Sequence, residues 1–337
     1  MSAEGGVEIV GQGLAGCCLG WHLHWRGEDF RAFEDGRKGA ASQVAAGLLN
    51  PVTGKNFEPS WRIGDFLPEA VDFYEKVGAE VGIPLWFPLS VVRLVAEKEW
   101  GKVSGKLEQA QVAPWVERVE ENLDGWRAAV TLRGGGRVDV KGFCAATKKM
   151  FEVRTSKLDP SFVEDSAGRP PSSKKRMVRC EGAFGLMGGA MGDHRCAKGE
   201  ILTLRIPGGG ESRILIGGGG WLVPVGNGLF RAGSTYEWEK LNGEPTMAGR
   251  IRVEEILERL GVENFEVVAH EAGIRPIIRR SMPLIGRLPD GSVGFNGLGS
   301  KGSLYAPGTA RRLVDWLLEG KEIEEDLDLE HWMGGTA

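Results

Sequence analysis

Hydrophobic and polar positions along this chain switch several times between the spacing of helices and that of strands. The pattern opens with a short apolar strand from residue 7, an amphipathic helix, and a second strand that ends on Glu34. Residues 65–82 predict another amphipathic helix, because apolar residues recur along one side at helical intervals. That side consists of Phe66, Ala70, Phe73, Val77 and Val81.

The middle of the chain carries mostly strand patterns. Residues 85–95 are strand-like, and residues 199–206 alternate as a half-buried strand does. Residues 221–235 predict a hairpin with Asn227-Gly228 at its turn, where positive backbone angles are needed. A further strand is predicted at 267–278. Further helices are predicted at 97–110, 246–260 and 309–320.

Three glycines between the first strand and the first helix predict a dinucleotide site. Gly11 lets the chain turn sharply out of the strand, and Gly13 lets the backbone approach a pyrophosphate. Gly16 lets the helix pack closely on the sheet, while the free N–H groups of the helix face the anion. Glu34 follows Gly16 by 18 residues, where a carboxylate can accept hydrogen bonds from ribose hydroxyls.

Composition narrows the class of protein. The chain has 337 residues, of which 42% are hydrophobic and 26% charged, as in ordinary globular proteins, and its length suits two domains. The formal charge of −4 argues against a surface devoted to nucleic acid. No stretch approaches about 18 apolar residues, and the N-terminus lacks a basic region followed by an apolar run. We therefore expect a cytoplasmic protein that does not cross a membrane.

Cysteine and histidine spacings do not predict a metal site or a disulfide framework. Cys17 and Cys18 fall inside the first helix, where small apolar residues pack well against a sheet. We expect all five cysteines to be reduced thiols. The five histidines are scattered, so no metal is expected.

Six motifs occur in order along nearly the whole chain. They are GQGLAG (11–16) with Glu34, ASQVAAGLLNPVTGK (41–55), RCEGAFG (179–185), KGEILTL (198–204), GIRPIIRRSMPLIG (273–286) and NGLGSKGSLYAP (296–307). Together they resemble the FAD-dependent amine oxidoreductases of the D-amino-acid oxidase and glycine oxidase superfamily. AAGLLNPVTG (45–54) is also similar to the flavin domain of the bacterial enzyme that oxidises carboxymethylaminomethyl-uridine in tRNA.

The resemblance implies an α/β (α+β) fold with a Rossmann-type FAD-binding domain and an interleaved antiparallel-sheet substrate domain. The FAD-binding domain would take residues 1–84, 138–198 and 273–337. The substrate domain would take residues 85–137 and 199–272. The implied activity is oxidation of the C–N bond of a small amine or amino acid by hydride transfer to flavin N5. Oxygen or another electron acceptor would then reoxidise the non-covalently bound FAD.

The resemblance also assigns candidate cofactor residues, most of them glycines or other small residues. The candidates are Gly11, Gly13, Leu14, Ala15, Gly16, Glu34, Ser42, Ala46, Gly47, Leu48, Gly182, Gly297, Gly299, Ser300, Lys301 and Gly302. Backbone N–H groups of the final glycine loop, with a helix N-terminus behind them, would stabilise negative charge on reduced flavin. Lys301 would add a positive charge there, or else point to solvent.

Candidates for substrate contact and catalysis are Arg275, Tyr236 and Lys301. The resemblance implies that Arg275, in the GxRP motif, binds the substrate carboxylate; the alternative is an ion pair with a neighbouring carboxylate such as Glu271. Tyr236 and Trp238 either wall the pocket or pack at a sheet edge. Arg93 either reaches inward or faces water.

Some features leave the activity open. The chain has only three tyrosines, and IIRRSMP places Arg280 and Ser281 where many relatives carry an acid before the proline. The basic residues of segment 154–179 either form a solvated loop or meet a phosphate. The alternatives to a small-amine oxidase are therefore a tRNA wobble-uridine amine oxidase and a flavin-binding protein without turnover.

Overall fold

A computed structural model describes residues 6–152, 154–155, 176–189, 191–278 and 282–334 of the chain. Elements are numbered below in chain order. The basic residues of 156–175, and Arg279, Arg280 and Ser281, lie outside these ranges, so the hypotheses about them stay untested.

A largely parallel sheet is the base of the molecule. Its six strands in the described part of the chain run, in spatial order, β11 (Arg154–Thr155), β2 (Phe30–Glu34), β1 (Val7–Val10), β12 (Arg176–Arg179), β19 (Val293–Asn296) and β18 (Leu284–Arg287). Every residue of β1 is buried, as expected for a parallel strand covered on both faces. Only β18 pairs antiparallel, with β19.

A second, larger sheet is mostly antiparallel. Its strands, in spatial order, are β17 (Glu266–Arg275), β13 (Ala197–Arg205), β16 (Leu229–Gly233), β15 (Gly220–Gly226), β14 (Arg213–Gly217), β7 (Ser90–Val95), β9 (Trp126–Leu132) and β8 (Val116–Leu123). The one parallel pair in this order joins β14 to β7. Two small sheets are β3 (Leu48–Leu49), β10 (Gly136–Val138) and β6 (Trp86–Pro88), and β4 (Val52–Thr53) with β5 (Glu58–Pro59).

Helices pack against both sheets. They are α1 (Leu14–Trp25), α2 (Ala41–Val44), α3 (Ile63–Val81), α4 (Glu97–Ser104), α5 (Val140–Met150), α6 (Gly182–Met187), α7 (Met247–Arg259), α8 (Gly302–Glu319) and α9 (Leu329–Gly334), with a 3-10 turn at Ala113–Trp115. Among the helices that the structure describes, none has both the length and the apolar character needed to cross a membrane.

The fold class predicted from the sequence is confirmed, and so are most elements. The helix predicted at 65–82 is α3, and the hairpin turns at Asn227 and Gly228 with positive φ values of 56° and 70°. All five cysteines are free and buried. The buried apolar residues of α1 and α8 belong to one core, in which Trp21 and Tyr305 are almost completely covered.

The structure differs from the sequence prediction at three helices. Because proline is unfavourable inside a helix, the sequence predicts Pro307 in the loop before the closing helix. In the structure this helix begins at Gly302, and Pro307 lies just beyond its first turn. The helix predicted over 97–110 ends at Ser104. Helix α5 was not predicted, although Asp139 caps it by accepting a hydrogen bond from Gly142 N at 3.0 Å.

The contact between α1 and α8 makes stability depend on pH. His22 Nε2 lies 3.0 Å from the carbonyl oxygen of Pro307, and burial lowers the pKa of His22 to about 4. Below the ordinary histidine pKa of 6.5 the unfolded chain binds a proton that the folded protein does not. The folded protein therefore loses stability as the pH falls from about 6.5 towards 4.

We expect this loss to reach about 3 kcal/mol in the free energy of unfolding at pH 4. In the variant His22→Gln the side-chain amide can still donate to Pro307 O, but it does not titrate. Denaturant unfolding between pH 7 and pH 4 should therefore show a shallower pH dependence for the variant. Equal slopes for the two proteins would contradict the assignment.

Candidate functional site

A large cavity lies between the two sheets. Its volume is about 1120 Å³, which exceeds the roughly 300–1,000 Å³ of pockets for small molecules. Residues from both ends of the chain and from the antiparallel sheet line it. It therefore has room for a ligand larger than a small substrate.

The turn between β1 and α1 is one wall of this cavity, and its glycines leave no room for side chains. A Cβ on Gly11, whose φ is +98°, would lie 2.4 Å from the carbonyl oxygen of Cys180. A Cβ on Gly16 would lie 1.9 Å from Gly11 O, so Gly16 serves close packing rather than the cavity surface. A Cβ on Gly13 would lie 2.8 Å from Ser42 Oγ. The start of α1 thus presents bare backbone to the cavity.

Glu34 lies at the end of β2 and lines the same cavity. Its carboxylate forms an ion pair with Lys148 on α5. The carboxylate retains acceptor sites for further hydrogen bonds. Sequence reasoning missed Lys148 because α5 was not predicted, although the spacing of Val140, Phe143 and Thr147 was an available signal.

The segment around α2 is held in place from the antiparallel sheet. Arg231 Nη1 donates hydrogen bonds to the carbonyl oxygens of Val44 (3.1 Å) and Ala45 (3.0 Å). Its Nη2 pairs with Glu271. Gly47 has a φ of +72°, and a Cβ there would lie 1.9 Å from the carbonyl oxygen of Val138. These contacts fix the small residues of the segment along the cavity.

The final glycine loop lines the cavity beside the start of α1, since a Cβ on Gly302 would lie 3.0 Å from Leu14 Cδ1. Gly299 N donates to the carbonyl oxygen of Pro276 at 2.9 Å, which joins the loop to the residue after Arg275. Gly297 does not line the cavity, because its Cβ position is taken by Ile278 Cδ1 at 2.5 Å and Met282 O at 2.7 Å. The loop then runs directly into the N-terminus of α8.

Lys301 turns into the protein rather than to solvent. Its Nζ donates to Thr53 Oγ1 at 2.8 Å and to Ser60 Oγ at 3.2 Å. Burial lowers its pKa below that of an ordinary lysine. Lys301 is therefore a partly desolvated cation at the cavity surface.

Arg275 is a nearly buried cation, with 9% of its surface exposed. Its Nη2 donates to Ser234 Oγ at 2.7 Å and to the carbonyl oxygen of Thr235 at 3.2 Å. Its Nη1 is buried and, among the described residues, has no hydrogen-bond partner. Loss of hydration lowers its pKa, since nearby groups compensate only in part. The site would therefore be stabilised by an incoming anion.

The alternative ion pair between Arg275 and Glu271 is not formed. The two residues belong to one strand, and four residues of extended chain span about 13 Å. Glu271 instead pairs with Arg231 of a nearby strand. A separation of four would have made the two residues neighbours only on a helix.

Tyr236 and Trp238 stand at the rim beside Arg275. The Arg275 guanidinium lies 4.1 Å from the centre of the Tyr236 ring, a cation–π distance. The Tyr236 and Trp238 ring centres are 5.9 Å apart, and the two residues are 47% and 50% exposed. Tyr236 also lines the cavity, whereas Trp238 does not.

The predicted site residues thus come together, with two exceptions. Those that line the cavity are Gly11, Gly13, Leu14, Ala15, Glu34, Ser42, Ala46, Gly47, Leu48, Gly182, Tyr236, Arg275, Gly299, Ser300, Lys301 and Gly302. Gly16 and Gly297 lie behind this surface and allow close packing. Arg93, for which the sequence left two orientations open, also lines the cavity.

Comparison with known proteins places this geometry in a family. Residues 7–316 match the family described as FAD dependent oxidoreductase, abbreviated DAO. The match spans most of the chain and confirms the resemblance that the six motifs indicated.

Several solved structures share the fold. Glycine oxidase from Geobacillus kaustophilus superposes with a TM-score of 0.75 at 22% identity, over 94% of this chain and 95% of that chain. Iminodiacetate oxidase from Chelativorans sp. BNC1 gives 0.73 at 20% identity, over 94% and 96%. L-alpha-glycerophosphate oxidase from Mycoplasma pneumoniae, with FAD bound, gives 0.71 at 16% identity, over 93% and 94%.

A single added methyl group at Gly13 should test whether the turn between β1 and α1 binds the dinucleotide. In Gly13→Ala the methyl group meets only Ser42 Oγ within 3 Å, which a rotation of that side chain relieves, so the variant should fold. It intrudes, however, on the bare backbone that a pyrophosphate needs. We expect FAD to bind roughly tenfold more weakly or worse, as measured by titration of apoprotein with FAD.

The matched control is Gly64→Ala, since a Cβ at this glycine of α3 meets nothing within 4 Å. The control should bind FAD as the wild type does. Wild-type FAD affinity in Gly13→Ala would show that the turn does not carry the cofactor.

Proposed function

The chain belongs to the family of FAD-dependent oxidoreductases, and we propose that it oxidises the C–N bond of a small amine or amino acid. The observation that carries this proposal is the unpartnered Nη1 of Arg275, a buried cation that faces the cavity. A guanidinium forms charge-assisted hydrogen bonds to carboxylates, so an amino acid is a suitable counter-ion.

The residues present fit FAD at three places. Bare backbone at Gly11 and Gly13 suits the pyrophosphate, and the Glu34 carboxylate suits ribose hydroxyls. The small residues of the α2 segment and the glycine loop before α8 leave a cleft for a flat ring. When bound, FAD supplies the oxidation itself by accepting a hydride from the carbon beside the amine, so that an imine remains for hydrolysis.

Lys301 and α8 supply positive potential at this cleft. Helix N-termini carry partial positive charge, and Gly302 is the first residue of α8. The Lys301 ammonium adds a full charge that Thr53 and Ser60 hold in place. We propose that together they favour negative charge on the reduced cofactor.

Arg275 positions the substrate, and its own position is set by the residues around it. Ser234 and Thr235 hold one nitrogen, and the Tyr236 ring covers the guanidinium. Nη1, which has no hydrogen-bond partner among the described residues, is left for the ligand. We propose that this cation orients the carboxylate while Tyr236 shields the bound substrate from water.

Removing the cation should weaken substrate binding more than it slows the oxidation. For Arg275→Ala we expect KM for an amino-acid substrate to rise roughly 10- to 100-fold, the value of one charge-assisted hydrogen bond. The measurement is the rate of anaerobic bleaching of the bound flavin at increasing concentrations of glycine, sarcosine and D-amino acids, in which the half-saturating concentration takes the place of KM. Arg205→Ala, an exposed arginine at the end of β13, is the matched control and should behave as wild type.

An unchanged KM in Arg275→Ala would show that the carboxylate assignment is wrong. Wild-type protein that is yellow but bleaches with no amine would instead favour a flavin-binding protein without turnover.

A second candidate is oxidation of an amine on a tRNA wobble uridine. The observation that favours it is the half-exposed pair of Tyr236 and Trp238, since aromatic rings at a cavity rim can stack on a base. Arg195 lies 5.8 Å from the Trp238 ring centre and adds a positive charge there. The net charge of −4 opposes this candidate.

The two candidates differ in their response to Trp238→Ala. If tRNA is the substrate, the protein should bind tRNA with an affinity that falls steeply with salt, and the substitution should weaken it by about 1–3 kcal/mol. Oxidation of a small amino acid should not depend on Trp238. Filter binding at several salt concentrations and flavin bleaching by amino acids separate the two outcomes.

A further inference from the structure

Arg93 is a second cation of the cavity that the proposed reaction does not use. It lies on β7, lines the cavity, and has a buried Nε that, in the part of the chain that the structure describes, finds no hydrogen-bond partner. A buried guanidinium nitrogen without a partner is unfavourable unless a ligand supplies one. We propose that the substrate carries a second anionic group and that Arg93 binds it.

This inference rests on the proposed function, since it assumes that Arg275 holds the carboxylate beside the reacting amine. A second anionic group restricts the substrate class from small amines and amino acids in general to those with two acidic groups. The substrate is then an amine with an acidic group at each end, and Arg93 is a residue that determines specificity.

The acidic surroundings of Arg93 do not supply its counter-ion. Glu99 is the carboxylate whose charge acts on Arg93, yet burial still lowers the pKa of Arg93 below its ordinary value. The Glu99 Oε2 atom is directed to the backbone N–H of Ala96, at 3.4 Å. Arg93 therefore keeps capacity for an anionic ligand.

The cavity as a whole carries more basic than acidic side chains. Among the residues that the structure describes, seven basic side chains line it against five acidic ones, although the whole chain has a net charge of −4. The basic residues are Arg37, Lys55, Arg93, Lys141, Lys148, Arg275 and Lys301, and the acidic ones are Glu34, Asp35, Glu99, Glu181 and Glu271. Such a cavity favours a ligand with more than one negative charge, and the pyrophosphate of FAD already meets that preference, so only Arg93 itself calls for a second anionic group on the substrate.

The sheet register places Arg93 and Arg275 on one face at a distance. Arg93 pairs with Ile216, Ile216 with Trp221, and Trp221 with Gly233, so one row crosses four strands. Ser234, which holds Arg275, follows Gly233 directly. Three strand spacings put Arg93 about 14 Å from Gly233. Because the Arg275 guanidinium already reaches Ser234, only the Arg93 side chain shortens the distance between the two cations.

Arg93 and the turn that suits the pyrophosphate of FAD belong to different sheets. Arg93 pairs across the sheet with strands β14 and β9, whereas the bare backbone at Gly11 and Gly13 belongs to the parallel sheet. We therefore assign Arg93 to the substrate. Arg93→Met should bind FAD as tightly as the wild type, which checks this assignment without any turnover.

Carboxylates that cannot be oxidised test the proposal directly. The probes are straight-chain dicarboxylates from malonate to sebacate and the monocarboxylates of equal length, titrated calorimetrically into the holoprotein. In the wild type we expect dicarboxylates to bind more tightly than monocarboxylates from the length at which the second carboxylate reaches Arg93. Arg93→Met should weaken those dicarboxylates roughly 10- to 100-fold and leave monocarboxylates unchanged.

The matched control is Arg118→Met, an exposed arginine of the same sheet that pairs with Glu120. It should leave both series as they are in the wild type. Arg275→Ala should weaken both series, because every probe needs the first cation.

Two results would overturn the proposal. One is a wild-type series in which dicarboxylates have no advantage at any length, which needs no variant. The other is an equal loss for monocarboxylates and dicarboxylates in Arg93→Met. Because binding needs no oxidation, failure of the amine panel to bleach the flavin would count against the proposed function and not against this result.

Discussion

The parallel pairing of β1 with β12, and of β12 with β19, is the constraint on which the site depends. These strands come from widely separated parts of the chain, and parallel pairing places their carboxyl ends at one edge of the sheet. The turn after β1 and the glycine loop after β19 therefore meet at one cavity. A cofactor wall made of both chain ends follows from strand order alone.

Arg231 and Arg275, both on the antiparallel sheet, differ in how their charges are satisfied. Arg231 forms an ion pair with Glu271 and donates hydrogen bonds to the carbonyl oxygens of Val44 and Ala45, so it holds the α2 segment against the antiparallel sheet. Arg275 is held by neutral oxygens and an aromatic ring instead. The difference between a satisfied and an unsatisfied arginine is what separates a structural contact from a binding site here.

Much of the fold follows from local pattern. The apolar stripe of α3 and the Asn227-Gly228 turn are set by residues close together in the chain, so their geometry could be predicted. The start of α8 could not, because packing of its first turn against α1 and α3 outweighs the unfavourable Pro307. Helix α5 could have been predicted from the spacing of its apolar residues and from its Asp139 cap, but it was not.

The sequence by itself determined where the glycine turns lie, which segments form strands or helices in most cases, and the family of the chain. Each of these depends on neighbouring residues or on the order of motifs. The tertiary structure alone decided which charges meet: Lys148 with Glu34, Arg231 with Glu271, and neither carboxylate with Arg275 or Arg93. Side chains more than 30 residues apart become neighbours only when strands pair and helices pack on them. That is why the unpartnered cations, which carry the functional proposals, could not be identified from the chain alone.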